Sequence, residues 1–268
     1  MPLEIEQIQS TSIPLEVENI RPDLLADQSL DEVRKTKIFH GKEEVEFGDF
    51  FSARGSCSDL IFRWTGDLKG VHWIGAGLSR GRVEVEGNAG RHLGSEMTGG
   101  EIHVSGSVSD WVGAEMKAGC IEVEGSAGHL VGAAYRGSPR GMTGGTILVK
   151  GQAGNEVGHT MRRGLIAVGG LGDLAGFNML AGSIFVFGDA GIRHGAGMRR
   201  GTLAFLGEQP PELLPTFRFA CRQELDICSI ADNILEQRKY GASFPRKVDL
   251  YHGDFLEGGR GEIFIKAA

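Results

Sequence analysis

The chain lacks any surplus of positive charge. Its 268 residues carry 28 Lys and Arg against 35 Asp and Glu, a net charge of −7. That argues against a nucleic-acid binder, which needs a basic face. No apolar run approaches the ~20 residues that span a bilayer, so no membrane segment is expected. The opening Met1-Pro2-Leu3-Glu4-Ile5-Glu6 has no basic start followed by an apolar stretch, so no export signal is visible. Cysteine is scarce: Cys57, Cys120, Cys221 and Cys228 form no C-x-x-C pair, which points to reduced thiols in a cytoplasmic protein. There is no H-E-x-x-H, and His92, His129, His159 and His194 fall in four different columns of the repeat described below, so no metal set is expected. Ser138 stands outside any G-x-S-x-G nucleophile elbow. No catalytic residue is assigned.

What the chain has in excess is glycine. Of 43 glycines, 35 lie between Gly66 and Gly207, which divides the chain into a glycine-rich middle and two ordinary flanks. Collagen is excluded because glycine does not fall at every third position, and disorder is disfavoured because aliphatic residues recur in register with the glycines. One phrase is written seven times: a glycine, one residue, an apolar pair spaced by two, and a closing glycine. The pairs are Val83/Val85, Ile102/Val104, Ile121/Val123, Ile147/Val149, Ile166/Val168, Ile184/Val186 and Leu203/Phe205. The opening glycines, Gly81, Gly100, Gly119, Gly145, Gly164, Gly182 and Gly201, step by 19, 19, 26, 19, 18 and 19 residues. The long step holds seven extra residues in Tyr135–Gly141, an out-looped contact element. Met97, Met116, Met142, Met161, Met179 and Met198 repeat in register, with Leu78 in that column of the first full turn; Phe62–Gly66 is a degenerate earlier turn. Because G-x-G and G-G pairs belong to this period, they carry no dinucleotide-binding signal.

Self-similarity at so short a period means stacked turns. Ile-x-Val alternation puts both aliphatics on one face of a short strand. Parallel strands about 4.8 Å apart then close a dry interior. Glycine marks corners where φ is positive or backbones approach closely, and methionine fills irregular gaps. The expected class is all-β: a right-handed parallel β-helix of seven to eight turns over 61–207, between mixed α/β caps at 1–60 and 208–268. A left-handed hexapeptide helix is disfavoured, since it demands an aliphatic residue every six positions. In the flanks, extended segments are expected at Leu3–Ile8, Leu15–Ile20 and Glu43–Phe51. Helices are expected at Leu30–Lys37, with Ser29 or Asp31 near the start, and at Gln223–Lys239, and a closing strand at Glu262–Ile265.

Stacked repeats make vertical columns of exposed residues. The residue between the aliphatics runs Glu84, His103, Glu122, Leu148, Ala167, Phe185, Ala204, and the next outward one runs Glu86, Ser105, Glu124, Lys150, Gly169, Phe187, Leu206. Both columns begin polar and end apolar, so Leu148, Leu165, Phe185, Phe187 and Leu206 form either a partner contact or a surface covered by the segment after Pro211. Beside the methionines, Arg162-Arg163 and Arg199-Arg200 stand two turns apart, roughly 10 Å by the strand spacing. Guanidinium groups this close suit a carboxylate or phosphate clamp. The alternative is a solvated edge balanced by local Glu and Asp.

The phrases Met161-Arg162-Arg163-Gly164-Leu165-Ile166 and Met198-Arg199-Arg200-Gly201-Thr202-Leu203 resemble the glycine-rich repeat of the formylmethanofuran dehydrogenase C-subunit. The tail phrases Leu213–Phe217 and Gly253–Ile263 resemble it too. The repeat is shared with the C-terminal domain of glutamate synthase large subunits; the tail phrases favour the dehydrogenase family. The resemblance implies a β-helical subunit without its own active site in a one-carbon complex, either the dehydrogenase or the bacterial formyltransferase/hydrolase, the latter passing formyl groups between a tetrahydromethanopterin-type and a methanofuran-type carrier. It implies amidohydrolase-like and formyltransferase-like or redox subunits as partners. It also implies no cofactor bound by this chain alone, with a methanofuran-type carrier in the complex whose polyglutamate-type tail would suit the arginine-lined edge. A glutamate-synthase-like accessory domain and a β-helical acyltransferase are the alternatives.

Overall fold

The computed structural model describes residues 1–224 and 226–267. The N-terminal flank supplies β1 (Leu3–Gln7), β2 (Leu15–Glu16), the short helices α1 (Pro22–Leu25) and α2 (Leu30–Lys35), β3 (Lys37–His40), β4 (Glu43–Glu46) and β5 (Phe51–Arg54). The middle supplies β6 (Ile61–Thr65), β7 (Val71–His72), β8 (Arg82–Val85), β9 (Thr98–Val104), β10 (Ala118–Val123), β11 (Thr146–Ala153), β12 (Leu165–Leu171), β13 (Ser183–Val186) and β14 (Gly201–Phe205). The tail adds β15 (Arg218–Gln223), helix α3 (Asp226–Gln237), β16 (Val248–Gly253) and β17 (Gly261–Lys266).

Among the described residues the chain is mostly β, and thirteen strands form one mixed sheet, β15-β16-β17-β14-β13-β12-β11-β10-β9-β8-β6-β1-β5. From β1 to β17 every neighbouring pair is parallel; β5 and the β16–β15 pair close the two ends antiparallel. The repeat dictates the register. Ile121 lies opposite Ile102 and Ile147, and Val123 opposite Val104 and Val149. All seven apolar pairs and all six methionines of the repeat are buried, in one core that runs the length of the stack. The turns are also bonded away from the strands: Gly113 N donates to Leu93 O at 2.9 Å, and Gly132 N to Val112 O at 2.8 Å. Each turn thus rests on the one before it at its corners as well as its strand.

Two glycine columns are required for different reasons. At the opening glycines φ is positive, +96° at Gly119, where an added Cβ would also stand 2.7 Å from the Gly100 carbonyl oxygen. At the closing column, from the second full turn onward, the previous turn leaves no room: a Cβ on Gly207 would lie 2.4 Å from the Gly188 carbonyl oxygen.

The flanks extend the stack further than the repeat suggests. β1 lies parallel to β6, with Leu3 opposite Phe62 and Ile5 opposite Trp64. The degenerate turn is a real rung, Phe62 and Trp64 facing Val83 and Val85. Nor does the pattern end at Gly207. After a long excursion the tail returns as β17, with Ile263 opposite Leu203 and Ile265 opposite Phe205. Helix α2 starts at Ser29 as expected, with a reciprocal Ser29–Glu32 capping box, but ends at Lys35 because Lys37 already pairs with Glu46 in β3–β4. The expected extended segment at Leu15–Ile20 is a strand only over Leu15–Glu16, and that at Glu43–Phe51 is broken by a 3₁₀ turn at Phe47–Asp49. Position 225, inside the expected Gln223–Lys239 helix, lies outside the described residues; α3 covers Asp226–Gln237.

One corner is aromatic and takes positive φ without glycine. Trp73, His92 and Trp111, at φ of 65°, 62° and 68°, occupy equivalent places in successive turns. Trp73 and His92 stack at 4.1 Å. Tyr135, first residue of the extra loop, packs over Trp111 at 5.0 Å, and its hydroxyl lies 3.1 Å from His92 Nδ1. Its backbone N–H donates to Glu115 Oε1 at 3.0 Å. The near end of the loop is therefore pinned to the stack. Burial first, then the His72 and Arg91 charges, pushes His92 down to about 4.

These contacts yield two predictions. Gly119→Ala meets both an unfavourable φ and the Gly100 carbonyl, whereas Gly87→Ala at a similar φ meets open space. Gly87→Ala should cost roughly 1–2 kcal/mol and Gly119→Ala clearly more, read from urea unfolding. His92 folds in its neutral form, so the folded state binds fewer protons than the unfolded chain between pH 6.5 and 4. The associated stability is present above pH 6.5 and lost on acidification toward pH 4, by on the order of 1 kcal/mol after discounting for solvent exposure. His92→Gln should flatten that part of the pH–stability curve; an unchanged slope would refute the assignment.

Candidate functional site

The four arginines singled out by the repeat do come together. Arg162, Arg163, Arg199 and Arg200 line one cleft of about 480 Å³, floored by Gly164, Leu180, Ala181 and Gly182. A neighbouring cleft of about 440 Å³ shares Arg162, Leu180 and Arg199 and adds Pro139, Arg140, Thr160, Asn178, Gly197 and Glu257. Stacking explains the convergence. Each Arg-Arg pair sits just before an opening glycine, and Ser183 of the intervening turn pairs with both Leu165 and Thr202.

Two further arginines belong to the site. Arg260 lines the first cleft because Gly261 pairs with Gly201, which places Arg260 one rung beyond Arg200. The signal was present in the tail, where Arg260-Gly261-Glu262-Ile263 repeats the pattern of Arg200-Gly201-Thr202-Leu203. Arg140 reaches the second cleft from the far end of the loop that Tyr135 anchors, and only tertiary packing reveals it. Among the described residues, one carboxylate pairs with these six side chains: Glu257, whose Oε2 lies 3.3 Å from Arg199 Nε. Glu257 ends a 3₁₀ turn capped by Asp254, whose carboxylate accepts from Leu256 N at 3.0 Å and from Gly197 N at 3.1 Å. The turn is tied to the stack, and Glu257 is held at the cleft.

The apolar columns have a different fate. Leu148, Phe185 and Leu206 are buried and Phe187 is half-buried, because the chain's own tail lies across them. They pack with Cys228, Ala231 and Leu235 of α3 and with Tyr240, Phe244 and Leu250. Phe244 meets Phe185 edge-on at 4.7 Å, and the Tyr240 hydroxyl donates to Val149 O at 2.9 Å. Of the two readings of Leu148, Leu165, Phe185, Phe187 and Leu206, cover by the segment after Pro211 is the one the structure has, and these residues are not an open partner contact. The boundary of that cover matches the change in the outward column. Where the column is still acidic, Arg238 Nη1 pairs with its Glu122 at 3.4 Å and with Glu101, just ahead of the Ile102/Val104 pair, at 2.8 Å.

Beside that clamp, Arg82, Glu101, His103, Cys120, Glu122 and Arg238 line a smaller cleft of about 230 Å³. Burial, and secondarily the Glu122 and Glu101 charges, pushes the Cys120 thiol up to about 12, so it stays protonated and is a poor nucleophile at neutral pH. His194 is enclosed in the core, its Nδ1 accepting from Ala175 N at 3.2 Å, and burial lowers its pKa. His129 accepts the backbone N–H of Asn155 at 2.8 Å. These histidines serve the stack. Among the described residues no three His, Cys, Asp or Glu side chains converge as a metal site, and no helix is long and apolar enough to cross a membrane.

Comparison with known proteins places this architecture. Residues 70–217 match the GXGXG motif family. Over 91 residues the chain is 36% identical to the C-subunit of the tungsten-containing formylmethanofuran dehydrogenase 2 of Methanothermobacter thermautotrophicus, covering 32% of this chain and 34% of that relative. Over 83 residues it is 44% identical to the C-subunit of the molybdenum-containing formylmethanofuran dehydrogenase 1 of Methanothermobacter marburgensis, covering 31% of this chain and 21% of that one. The chain thus spans about a third or less of the curated relatives it matches. A solved chain of the formyltransferase/hydrolase complex (FhcABCD) of Methylorubrum extorquens, crystallised with methylofuran, superposes with a TM-score of 0.89 at 31% identity, over 99% of this chain and 100% of that one. The chain belongs to the formylmethanofuran dehydrogenase C-subunit family of GXGXG-motif proteins.

Proposed function

We propose that this chain is a non-catalytic subunit of a formyl-handling complex in one-carbon metabolism, of the formyltransferase/hydrolase or formylmethanofuran dehydrogenase type. The reading is carried by one observation: the likeness to a chain of the formyltransferase/hydrolase complex extends over essentially the full length of both chains. In this reading the stack is wound as a right-handed parallel β-helix. Segments 1–60 and 208–268 cap it, and its walls hold amidohydrolase-like and formyltransferase-like or redox subunits together in the cytoplasm. The in-register parallel strands and the bonded corners support the winding. The state of its side chains supports the non-catalytic role, because the Cys120 thiol is held protonated in its cleft and His92 and His194 are committed to packing. A methanofuran-type carrier would belong to the assembled complex rather than to this chain alone.

The test is to express the tagged full chain in its native host and identify what co-purifies. Amidohydrolase-like and formyltransferase-like chains, or redox subunits, are expected in fixed proportion. The isolated chain should release no formate from a formylated furan carrier. Turnover by the isolated chain at a rate comparable to the assembled complex would overturn the non-catalytic reading.

A further inference from the structure

We infer that β15 is a pairing edge for a second copy of this chain, the two β15 strands running antiparallel about a twofold axis. The inference concerns the chain by itself and does not rest on the reading above. Its first support is that the two edges of the thirteen-stranded sheet are finished differently. At the β5 edge the strand is covered: Phe51 and Ala53 are buried, and Arg34 of α2 donates from Nη2 to the Ala53 carbonyl at 2.9 Å. At the other edge Arg218, Phe219, Ala220, Arg222 and Gln223 of β15 are all exposed. Among the described residues the backbone of β15 bonds to β16 on one side and to nothing on the other. A free sheet edge presents a row of unpaired N–H and C=O groups that a further strand satisfies. Phe219, 56% exposed, puts an apolar ring on that open edge.

The second support is self-complementarity. Phe219 meets Tyr251 edge-on at 5.6 Å, and Arg222 bonds Asp249 through both Nε and Nη2, at 2.6 and 2.8 Å. Tyr251 and Asp249 are alternate residues of β16, so Phe219 and Arg222 share one face. Cys221 packs on the opposite face, against the cluster that includes α3. The register shift between Phe219 and Cys221 is what brings residues three apart onto one side. An antiparallel copy with Ala220 opposite Cys221 then sets Phe219 against Arg222 of the second copy, twice and on matching faces. Asp249 already fixes that guanidinium, so little side-chain freedom is lost when it meets the ring as a cation–π pair. The same register sets Arg218 opposite Gln223 and beside Glu224, so opposite charges meet at both ends. A parallel copy in register would oppose Arg218 to Arg218 and Arg222 to Arg222. Six residues a side bury far less than the ~800 Å² per partner of a standard interface, so the pairing is weak and concentration-dependent.

The test is sedimentation velocity of the full chain from about 1 to about 500 µM, with amide hydrogen exchange at both ends of that range. The proposal expects a monomer–dimer equilibrium and slower exchange at Arg218–Gln223 in the concentrated sample. Phe219→Ser should weaken the dimer about tenfold or more. Arg218→Glu and Glu224→Arg should each weaken it, and the double variant Arg218→Glu/Glu224→Arg should restore it, since the exchanged charges meet again only in an antiparallel self-pair. Arg54→Glu, at the opposite edge of the sheet, should leave the equilibrium unchanged, and circular dichroism should confirm that every variant is folded. A monomer at every concentration, a dimer whose protected amides lie outside β15, equal weakening by Arg54→Glu, or a double variant no tighter than its single parents would overturn the proposal.

Discussion

The structure depends on one steric constraint: successive turns lie directly upon one another, backbone against backbone, at sheet spacing. Where the main chain of one turn faces a carbonyl of the last, no Cβ fits, as the 2.4 Å approach at Gly207 demonstrates. Where the chain must turn back into the stack, φ is positive, as at Gly119. Glycine is therefore imposed twice per turn on separate grounds, and the register it enforces carries everything else. With register locked, a side chain in one turn has a fixed neighbour above and below. The interior becomes columns of Ile, Val and Met, each shielded by its counterparts.

The same constraint turns the outside into columns, and the two outer walls are resolved in opposite ways. On the strand face the column changes from Glu84, His103 and Glu122 to Leu148, Ala167 and Phe185. From that change onward the tail supplies the cover. Phe244 and Tyr240 lie over the apolar part, and Arg238 reaches the last acidic positions. Covering that wall stabilises both partners: the apolar strand face leaves water, and the amphipathic α3 gains a surface for Cys228, Ala231 and Leu235. The arginine edge is left open. Its one internal pair among the described residues, Arg199–Glu257, is solvent-exposed and worth at most about 1 kcal/mol.

Much of this was visible in the bare sequence because stacking is a local rule applied repeatedly. The Ile/Val pairs, the methionine column and the two glycine columns stand in the structure where the period put them, and so do Arg162, Arg163, Arg199 and Arg200. What escaped was whatever depends on a return from a distance. β17 rejoins the stack only after the long excursion between Phe205 and Gly261, so Arg260 could be counted with the other arginines only once Gly261 was known to pair with Gly201. β15 and β16 pair with each other and with β17, a hairpin arrangement with no echo in the repeat. The aromatic corner was hidden for another reason. Trp73, His92 and Trp111 hold a backbone conformation usually left to glycine, and the stacking that compensates comes from neighbouring turns.

At both ends of the stack the flanking segments pack into its core. A column of short aliphatics is shielded only while another turn follows, and at each terminus the interior is closed by large rings instead. At the start, Phe47 stacks on Phe51 at 4.7 Å, and Trp64 meets Phe51 edge-on at 5.5 Å. All three side chains are buried. At the other end the inward column Ile74, Leu93, Val112, Val131, Val157, Ala175 finishes with His194, which packs against Phe205 at 4.8 Å. Phe217 closes over Gly195 and Gly253, where any Cβ would strike its ring. A histidine is tolerated in that position because its Nδ1 receives the Ala175 N–H and burial keeps it neutral. The aromatic plugs thus do at the two ends what the next turn does everywhere between, which ties residues before Ile61 and after Gly207 to the stability of the stack itself.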